Sequence, residues 1–298
     1  MTVHPLEDPR PASLAHVHYT TAPPRNEMIR LPGGFAFDTL IINPGCERQI
    51  VFLHGLGGSP GGMLILEWLA ARHDVTVLAP HLPCHGRTSD VAMYGDFIGR
   101  IAQWCDHFGL SQANMIGHSL GALTLLYLAD SRPDLVSAGV CLAMPTTRPA
   151  RKMGYHARLA ILGADVSVTT SLAMTDALFT GYGRQFISAL VQGTYQGARV
   201  RPVLRMLHEA EDVEPVVRRR STPIEFIYGG ADIAIRPPNP DIAPYMRYQV
   251  LPGQPHCFPM LRINWKPISA AFDRALNPGL APALAPVITL PCPRLAPA

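Results

Sequence analysis

The sequence predicts an α/β protein: a mostly parallel central sheet, helices on both faces, and an all-helical insertion late in the sheet. Two observations carry this reading. Short apolar, β-prone runs alternate with helix-patterned segments between residues 49 and 145 and again between 222 and 276, and that alternation builds a parallel sheet covered on both faces. From about Thr146 to Ser221 the strand pattern stops while helical patterning continues. An all-helical stretch between two strands of a parallel sheet reads as a cap over the edge where such sheets carry their sites.

Each element follows in order. Residues 1–33 bear Pro and His without clear periodicity and admit at most an edge strand. The first nine residues hold two acids and two prolines, with neither a basic n-region nor an apolar h-region, so no signal peptide is expected. Residues 49–53 (Gln-Ile-Val-Phe-Leu) form a strand and 62–72 a helix. A second strand covers 75–79. Residues 96–108 form an amphipathic helix with Phe97, Ile101, Trp104 and Phe108 on one face. Strand 113–116 precedes an apolar helix over 120–130, and 138–143 is again a strand. Beyond the insertion come strands 224–228 and 247–251 and a helix near 267–276. Residues 277–298 carry six prolines and exclude a helix or central strand, which marks a tail. The domain reading is therefore an N-terminal irregular segment (1–33), a core (34–145 and 222–276), a helical cap (146–221) inserted after the sixth strand, and a Pro/Ala-rich tail (277–298).

Composition narrows the function classes. With 48% hydrophobic residues among 298, the chain is too apolar to be disordered. A net charge of +3 gives no basis for nucleic-acid binding. No stretch approaches the ~20 apolar residues of a membrane span. Proline is abundant at 30 residues, and only Lys152 and Lys266 are lysines, the signature of a high-GC genome. Six scattered cysteines (46, 84, 105, 141, 257, 292) form no C-x-x-C pair and read as free thiols in a reducing, cytoplasmic compartment. The small net charge conceals an asymmetry. Residues 146–221 hold 11 basic against 6 acidic residues, +5, leaving −2 elsewhere.

One segment carries chemistry. Gly117-His118-Ser119-Leu120-Gly121 matches G-x-S-x-G, follows a predicted strand and opens a predicted helix. A serine there sits on a sharp strand-to-helix turn, which presents its hydroxyl above the sheet. Small residues two before and two after let the backbone pass, and the helix N-terminus faces developing negative charge. A chance match in a chain with 25 glycines is the bland alternative.

On these residues the chain resembles the α/β-hydrolase superfamily, over roughly residues 35–276, and specifically its esterase/lipase-like serine hydrolases with a helical cap. The resemblance assigns roles to further segments. His54-Gly55-Leu56-Gly57-Gly58, after the first strand, is similar to the family's H-G-x-x-G loop. It implies oxyanion-hole donors at the backbone N–H groups of Leu56 and of Leu120, which follows the nucleophile. Gly229-Gly230-Ala231-Asp232 resembles the family's G-x-x-D segment and makes Asp232 the candidate acid, with Asp241 a nearby rival. His256, after the last strand, is the candidate base. The order Ser119, Asp232, His256 is the family order. In these roles His256 accepts the Ser119 proton and returns it to the leaving group, while Asp232 holds the imidazole tautomer.

The chain also departs from the family. Capped relatives often read D-x-P-G-H-G-x-S where this chain reads His81-Leu82-Pro83-Cys84-His85-Gly86-Arg87-Thr88-Ser89, so His81 replaces an acid and Cys84 a glycine. Ala122 stands where many relatives have glycine, and Pro255 precedes the base, biasing Gln254 to extended backbone. His81, Cys84, His85 and His118 invite a metal reading. No metal-ligand spacing supports it and a serine triad needs no cofactor, so neither metal nor cofactor is expected. His118 is expected to be structural.

The expected reaction is hydrolysis of a carboxylic ester through an acyl-enzyme. The cap residues Met153, Leu159, Ile161, Leu162, Leu172, Met174, Leu178, Phe179, Phe186, Ile187 and Leu190 suit a hydrophobic acyl or aryl group, or simply pack the cap. The alternatives are a thioesterase, acyltransferase or C–C bond hydrolase with the same triad, and a ligand-binding protein that keeps the fold. The expected partner is a small-molecule ester or thioester. An acyl carrier protein, drawn by the basic cap, and a second copy of the chain stay open as partners. No nucleic-acid partner and no membrane span are expected.

Overall fold

The computed structural model describes residues 24–63, 65–146, 203, 212–232 and 235–276. Its strands are β1 (Arg25–Arg30), β2 (Ala36–Ile42), β3 (Gln49–Leu53), β4 (Thr76–Pro80), β5 (Ala113–His118), β6 (Val136–Leu142), β7 (Ile224–Gly229) and β8 (Arg247–Leu251). They form one eight-stranded sheet in the order β1-β2-β4-β3-β5-β6-β7-β8. β2 runs antiparallel to both its neighbours, and every other pairing is parallel. The expected mostly parallel sheet is present.

Helices α1 (Ile65–His73), α2 (Tyr94–His107), α3 (Leu120–Ser131), α4 (Val213–Arg219) and α5 (Trp265–Leu276) accompany it. Alternation along each strand sorts the core into two layers. In β3, Val51 and Leu53 join one layer with Phe97, Ile101 and Trp104 of α2 and Leu125 of α3. Ile50 and Phe52 join the other, with Leu66 and Leu69 of α1 and Ile268 and Phe272 of α5. A strand buried on both faces must be apolar on both, which is why these runs show little polar alternation in sequence.

Two strands enlarge the sequence reading. β1 is an edge strand within residues 1–33. β2, not anticipated as a strand, pairs in register with β1 from Ala36 to Ile41 and with β4 from Thr39 to Ile42. Asp38 and Thr39 make its sequence look like a loop. Both are buried yet satisfied: Arg87 pairs with Asp38 through two bonds of 2.9 and 3.1 Å, and the Trp104 indole N–H donates to Thr39 Oγ1 at 3.0 Å. Of the segment 146–221 read as a cap, the described part contains α4. The rest, with its apolar residues, lies outside the described residues, as do 1–23 and the tail 277–298. Five cysteines (46, 84, 105, 141, 257) are free thiols; Cys292 lies outside the described residues. No described helix is long and apolar enough to cross a membrane.

The topology places the site. β3 has β4 on one side and β5 on the other, so the chain leaves β3 in one direction and returns on the opposite flank. Such a switch opens a crevice at the C-terminal ends of the strands. The loops after β3, β5, β7 and β8 all meet there.

Candidate active site

Ser119 stands between β5 and α3 with φ 52° and ψ −112°. A non-glycine residue in this region carries strain of about 1–3 kcal/mol, retained only where the surroundings over-determine it. Here they do. The Ser119 N–H donates to the Leu142 carbonyl of β6 at 2.8 Å, and its carbonyl accepts from the Leu123 N–H at 3.1 Å, the first bond of α3. The flanking glycines are steric necessities. A Cβ on Gly121 would overlap the carbonyls of Leu53 and His54, and one on Gly117 would lie 2.6 Å from Ala122 N and Cα.

The serine hydroxyl lies 3.0 Å from Nε2 of His256. The other ring nitrogen, Nδ1, lies 2.7 Å from Asp232 Oδ2. A carboxylate only accepts, so Nδ1 carries the proton and Nε2 is free to accept from the serine. Asp232 Oδ1 accepts a second bond, from the Ile235 N–H at 2.7 Å. All three residues are buried. Asp241, the rival, is exposed.

The loops bearing Asp232 and His256 are laced together. Gly230 N–H donates to the Leu251 carbonyl at 2.8 Å and Ala231 N–H to that of Gln254 at 3.0 Å. A Cβ on Gly229 would press on the Gln254 and Pro255 carbonyls, so glycine lets the two loops touch. The Asn264 amide braces the loop that carries His256, donating to Gln254 Oε1 at 2.8 Å and to the Phe258 carbonyl at 2.9 Å. Asn264 lies outside every sequence motif, and only the fold reveals its place.

The loop after β3 rests on histidines. Gly58 N–H closes a turn to the Gly55 carbonyl at 3.0 Å, and Gly57 N–H donates to His85 Nε2 at 3.0 Å. His54 Nε2 accepts from the Leu82 N–H at 2.9 Å and Nδ1 donates to the Gly55 carbonyl at 2.8 Å. The His54 ring lies 4.9 Å from that of His85 and 5.8 Å from that of His81. Burial holds the His54 pKa well below the usual imidazole range, and neighbouring His85 and His81 push the same way. Burial also lowers His81, whose Nδ1 is without a partner and packs against Gly86. Among the described residues no three His, Cys, Asp or Glu side chains are grouped to hold a metal ion.

Comparisons with known proteins agree with this architecture. Residues 49–163 match the family described as the alpha/beta hydrolase fold. The dihydrolipoyllysine-residue acetyltransferase component of the acetoin cleaving system of Cupriavidus necator is 25% identical over 224 residues, 67% of this chain and 56% of that protein. The chain spans little more than half the length of the curated relatives it matches, or less. An alpha/beta hydrolase fold protein from Nakamurella multipartita superposes with a TM-score of 0.65 at 16% identity, covering 86% of this chain and 100% of that one. A thermophilic esterase from Thermogutta terrifontis gives 0.63 at 16% identity, covering 84% and 99%. With its sheet order and its loops converging at the carboxyl ends of β3, β5, β7 and β8, the chain has the α/β-hydrolase fold.

Proposed function

We propose that the protein is a serine hydrolase that cleaves a carboxylic ester, with Ser119 as nucleophile, His256 as general base and acid, and Asp232 as the carboxylate that orients the imidazole. One observation carries the reading: Ser119, on a strained turn at the end of β5, reaches His256 at 3.0 Å while His256 reaches Asp232 at 2.7 Å. That is nucleophile to base to orienting group, within bonding distance throughout.

The chemistry runs in two halves. Ser119 Oγ bonds to the ester carbonyl carbon as its proton passes to His256 Nε2. The C–O bond to the alcohol then breaks and the alcohol departs with that proton, leaving an acyl-serine. Water repeats the sequence and releases the carboxylic acid. In each half the carbonyl oxygen becomes an oxyanion, for which the backbone N–H groups of Leu56 and Leu120 are the proposed donors. Leu120 is the first residue of α3, where helix N–H groups lack intrahelical acceptors. In the other loop the Gly57 and Gly58 amides are engaged by His85 and Gly55, and the resemblance to the family's H-G-x-x-G loop proposes Leu56 as the donor. The helical cap over 146–221, with a hydrophobic acyl or aryl pocket beneath it, belongs to the same proposal.

A second reading rests on the Cupriavidus relative, whose name is that of an acetyltransferase. The same acyl-serine could pass its acyl group to an alcohol or thiol, or be loaded from a thioester. Turnover of p-nitrophenyl butyrate, with and without an alcohol or thiol acceptor, separates the two. Hydrolysis abolished in Ser119→Ala supports the ester hydrolase. Product that forms only with acceptor supports transfer. Wild-type protein that neither turns over the ester nor reacts with a fluorophosphonate at Ser119 overturns both.

A further inference from the structure

His118, the residue before the nucleophile, is fully surrounded and its two nitrogens have opposite fates. Nε2 lies 3.1 Å from the backbone carbonyl of His256. A carbonyl only accepts, so Nε2 carries the proton and donates it. Nδ1 is then a bare lone pair, buried and without a partner. It faces Gly55, where an added Cβ would come within 2.9 Å of it and 3.3 Å of the Ser119 Cβ. The ring is thus wedged between the loop after β3 and the loop after β8, with its own backbone ending β5. Its centroid lies 5.1 Å from that of His256.

The carbonyls of the base loop show what this contact supplies. The Gln254 carbonyl accepts from Ala231 N–H, the Pro255 carbonyl from Phe258 N–H, and the Cys257 carbonyl from Met260 N–H. At His256 the donor comes from a side chain instead, and that side chain is anchored in the sheet: His118 pairs with Leu142 in the β5–β6 register. The backbone of the base is therefore tied to the strand that carries the nucleophile, across 138 residues of sequence.

We infer that His118 is a positioning residue, which holds the His256 backbone through its Nε2–H and so sets the reach of the His256 imidazole to Ser119. The inference rests on the reading of His256 as general base. It also explains the orphaned Nδ1. A polar atom left unpaired in a buried site needs a reason, and here the same ring must deliver a donor at Nε2 and stay thin enough to pass Gly55. Burial, reinforced by the neighbouring His256, pushes the His118 pKa down to about 3. The ring stays neutral across the working range, and the donor stays on Nε2.

Two variants of similar length test this. His118→Gln keeps an N–H donor at the end of its chain. His118→Met fills the space without a donor. With p-nitrophenyl butyrate, His118→Met should lower kcat by on the order of ten- to a hundredfold with KM nearly unchanged, as expected for a misplaced reacting group. His118→Gln should recover most of that loss. Proton NMR of the His256 Nδ1–H gives a readout that needs no turnover. The downfield resonance should be retained in wild type and His118→Gln and should shift or broaden by exchange in His118→Met. Wild-type kcat in a folded His118→Met, or equal losses in both variants, would overturn the inference. If the wild type fails on the ester and the fluorophosphonate, the hydrolase reading falls. The NMR comparison then decides alone whether His118 holds His256 in place: identical spectra in the two variants reject it, and divergence as stated upholds it.

Discussion

Nε2 of His85 accepts a 3.0 Å hydrogen bond from the Gly57 backbone N–H, joining the turn after β4 to the loop after β3. The donor, Gly57, is the residue after Leu56, the proposed oxyanion donor. His85 Nδ1 lies 3.0 Å from the Pro83 carbonyl, so the proton sits on Nδ1 and Nε2 is the acceptor. His85→Leu removes that acceptor and leaves the loop held by its own Gly58–Gly55 turn. Losing one oxyanion donor outright costs about 10²–10³ in kcat; loosening it should cost roughly tenfold. The affinity of a boronic-acid transition-state analogue should fall in parallel while KM stays put. Unchanged analogue affinity would show that the loop keeps its shape unaided.

Acid should destabilise the fold earlier than in a protein whose histidines are exposed. His54 and His118 are buried with pKa values held low by burial, and His81 is lowered by the same cause. The unfolded chain takes up protons at these positions below about pH 6.5, whereas the native state refuses them. Unfolded protein then binds more protons, so unfolding free energy falls as pH drops from about 6.5 towards the native values. Each group contributes a slope of up to about 1.4 kcal/mol per pH unit. Urea midpoints at pH 7.5, 6 and 5 should decline accordingly, and His118→Met should flatten the decline by about one proton's worth. An unaltered slope in that variant would mean that His118 titrates alike in both states.

Two glycines show opposite cases. A Cβ at Gly229 would press on the Pro255 carbonyl at 2.7 Å, in the very loop that carries His256, while one at Gly99 of α2 meets nothing within 4 Å. Gly229→Ala should therefore cut kcat by at least tenfold and destabilise by about 2 kcal/mol or more, since backbone cannot yield as a side chain can. Gly99→Ala should raise stability by about 1 kcal/mol, the helix-propensity difference, with activity unchanged. Calorimetry and esterase assays on the pair decide it; equal effects would mean that the base loop moves freely.

Much of the fold was legible because strand alternation and the serine turn are local signals. β3, β5, β6 and β7 appear as apolar runs, and a steric rule ties Gly117 and Gly121 to Ser119. β2 was hidden because Asp38 and Thr39 are satisfied by Arg87 and Trp104, which lie 49 and 65 residues away. The same distance argument gives His118 a partner that no motif names, 138 residues away. Asn264 is hidden differently: its partners Gln254 and Phe258 are 10 and 6 residues away, but no motif includes them. Cys84 shows the opposite case. It departs from the glycine of the resembling family, yet its φ of 65° still lies in the region glycine favours. The backbone there takes a glycine-type conformation while carrying a buried thiol in place of a hydrogen.

The strain at Ser119 can be measured apart from its chemistry. Ser119→Ala and Ser119→Gly both remove the hydroxyl and should both abolish turnover, but only glycine adopts φ 52° and ψ −112° without cost. Elsewhere in a structure alanine outranks glycine, because glycine has more unfolded-state freedom to lose, by roughly 0.5–1 kcal/mol. At this turn the strain, about 1–3 kcal/mol, runs the other way and exceeds that entropy difference. Ser119→Gly should therefore unfold at higher urea than Ser119→Ala, by about 1 kcal/mol in unfolding free energy, and should match or exceed the wild type. Alanine equal to or more stable than glycine would mean the turn relaxes once the hydroxyl is gone. The strain would then reside in the His256 contact rather than in the backbone set by Gly117, Gly121 and the Leu142 carbonyl.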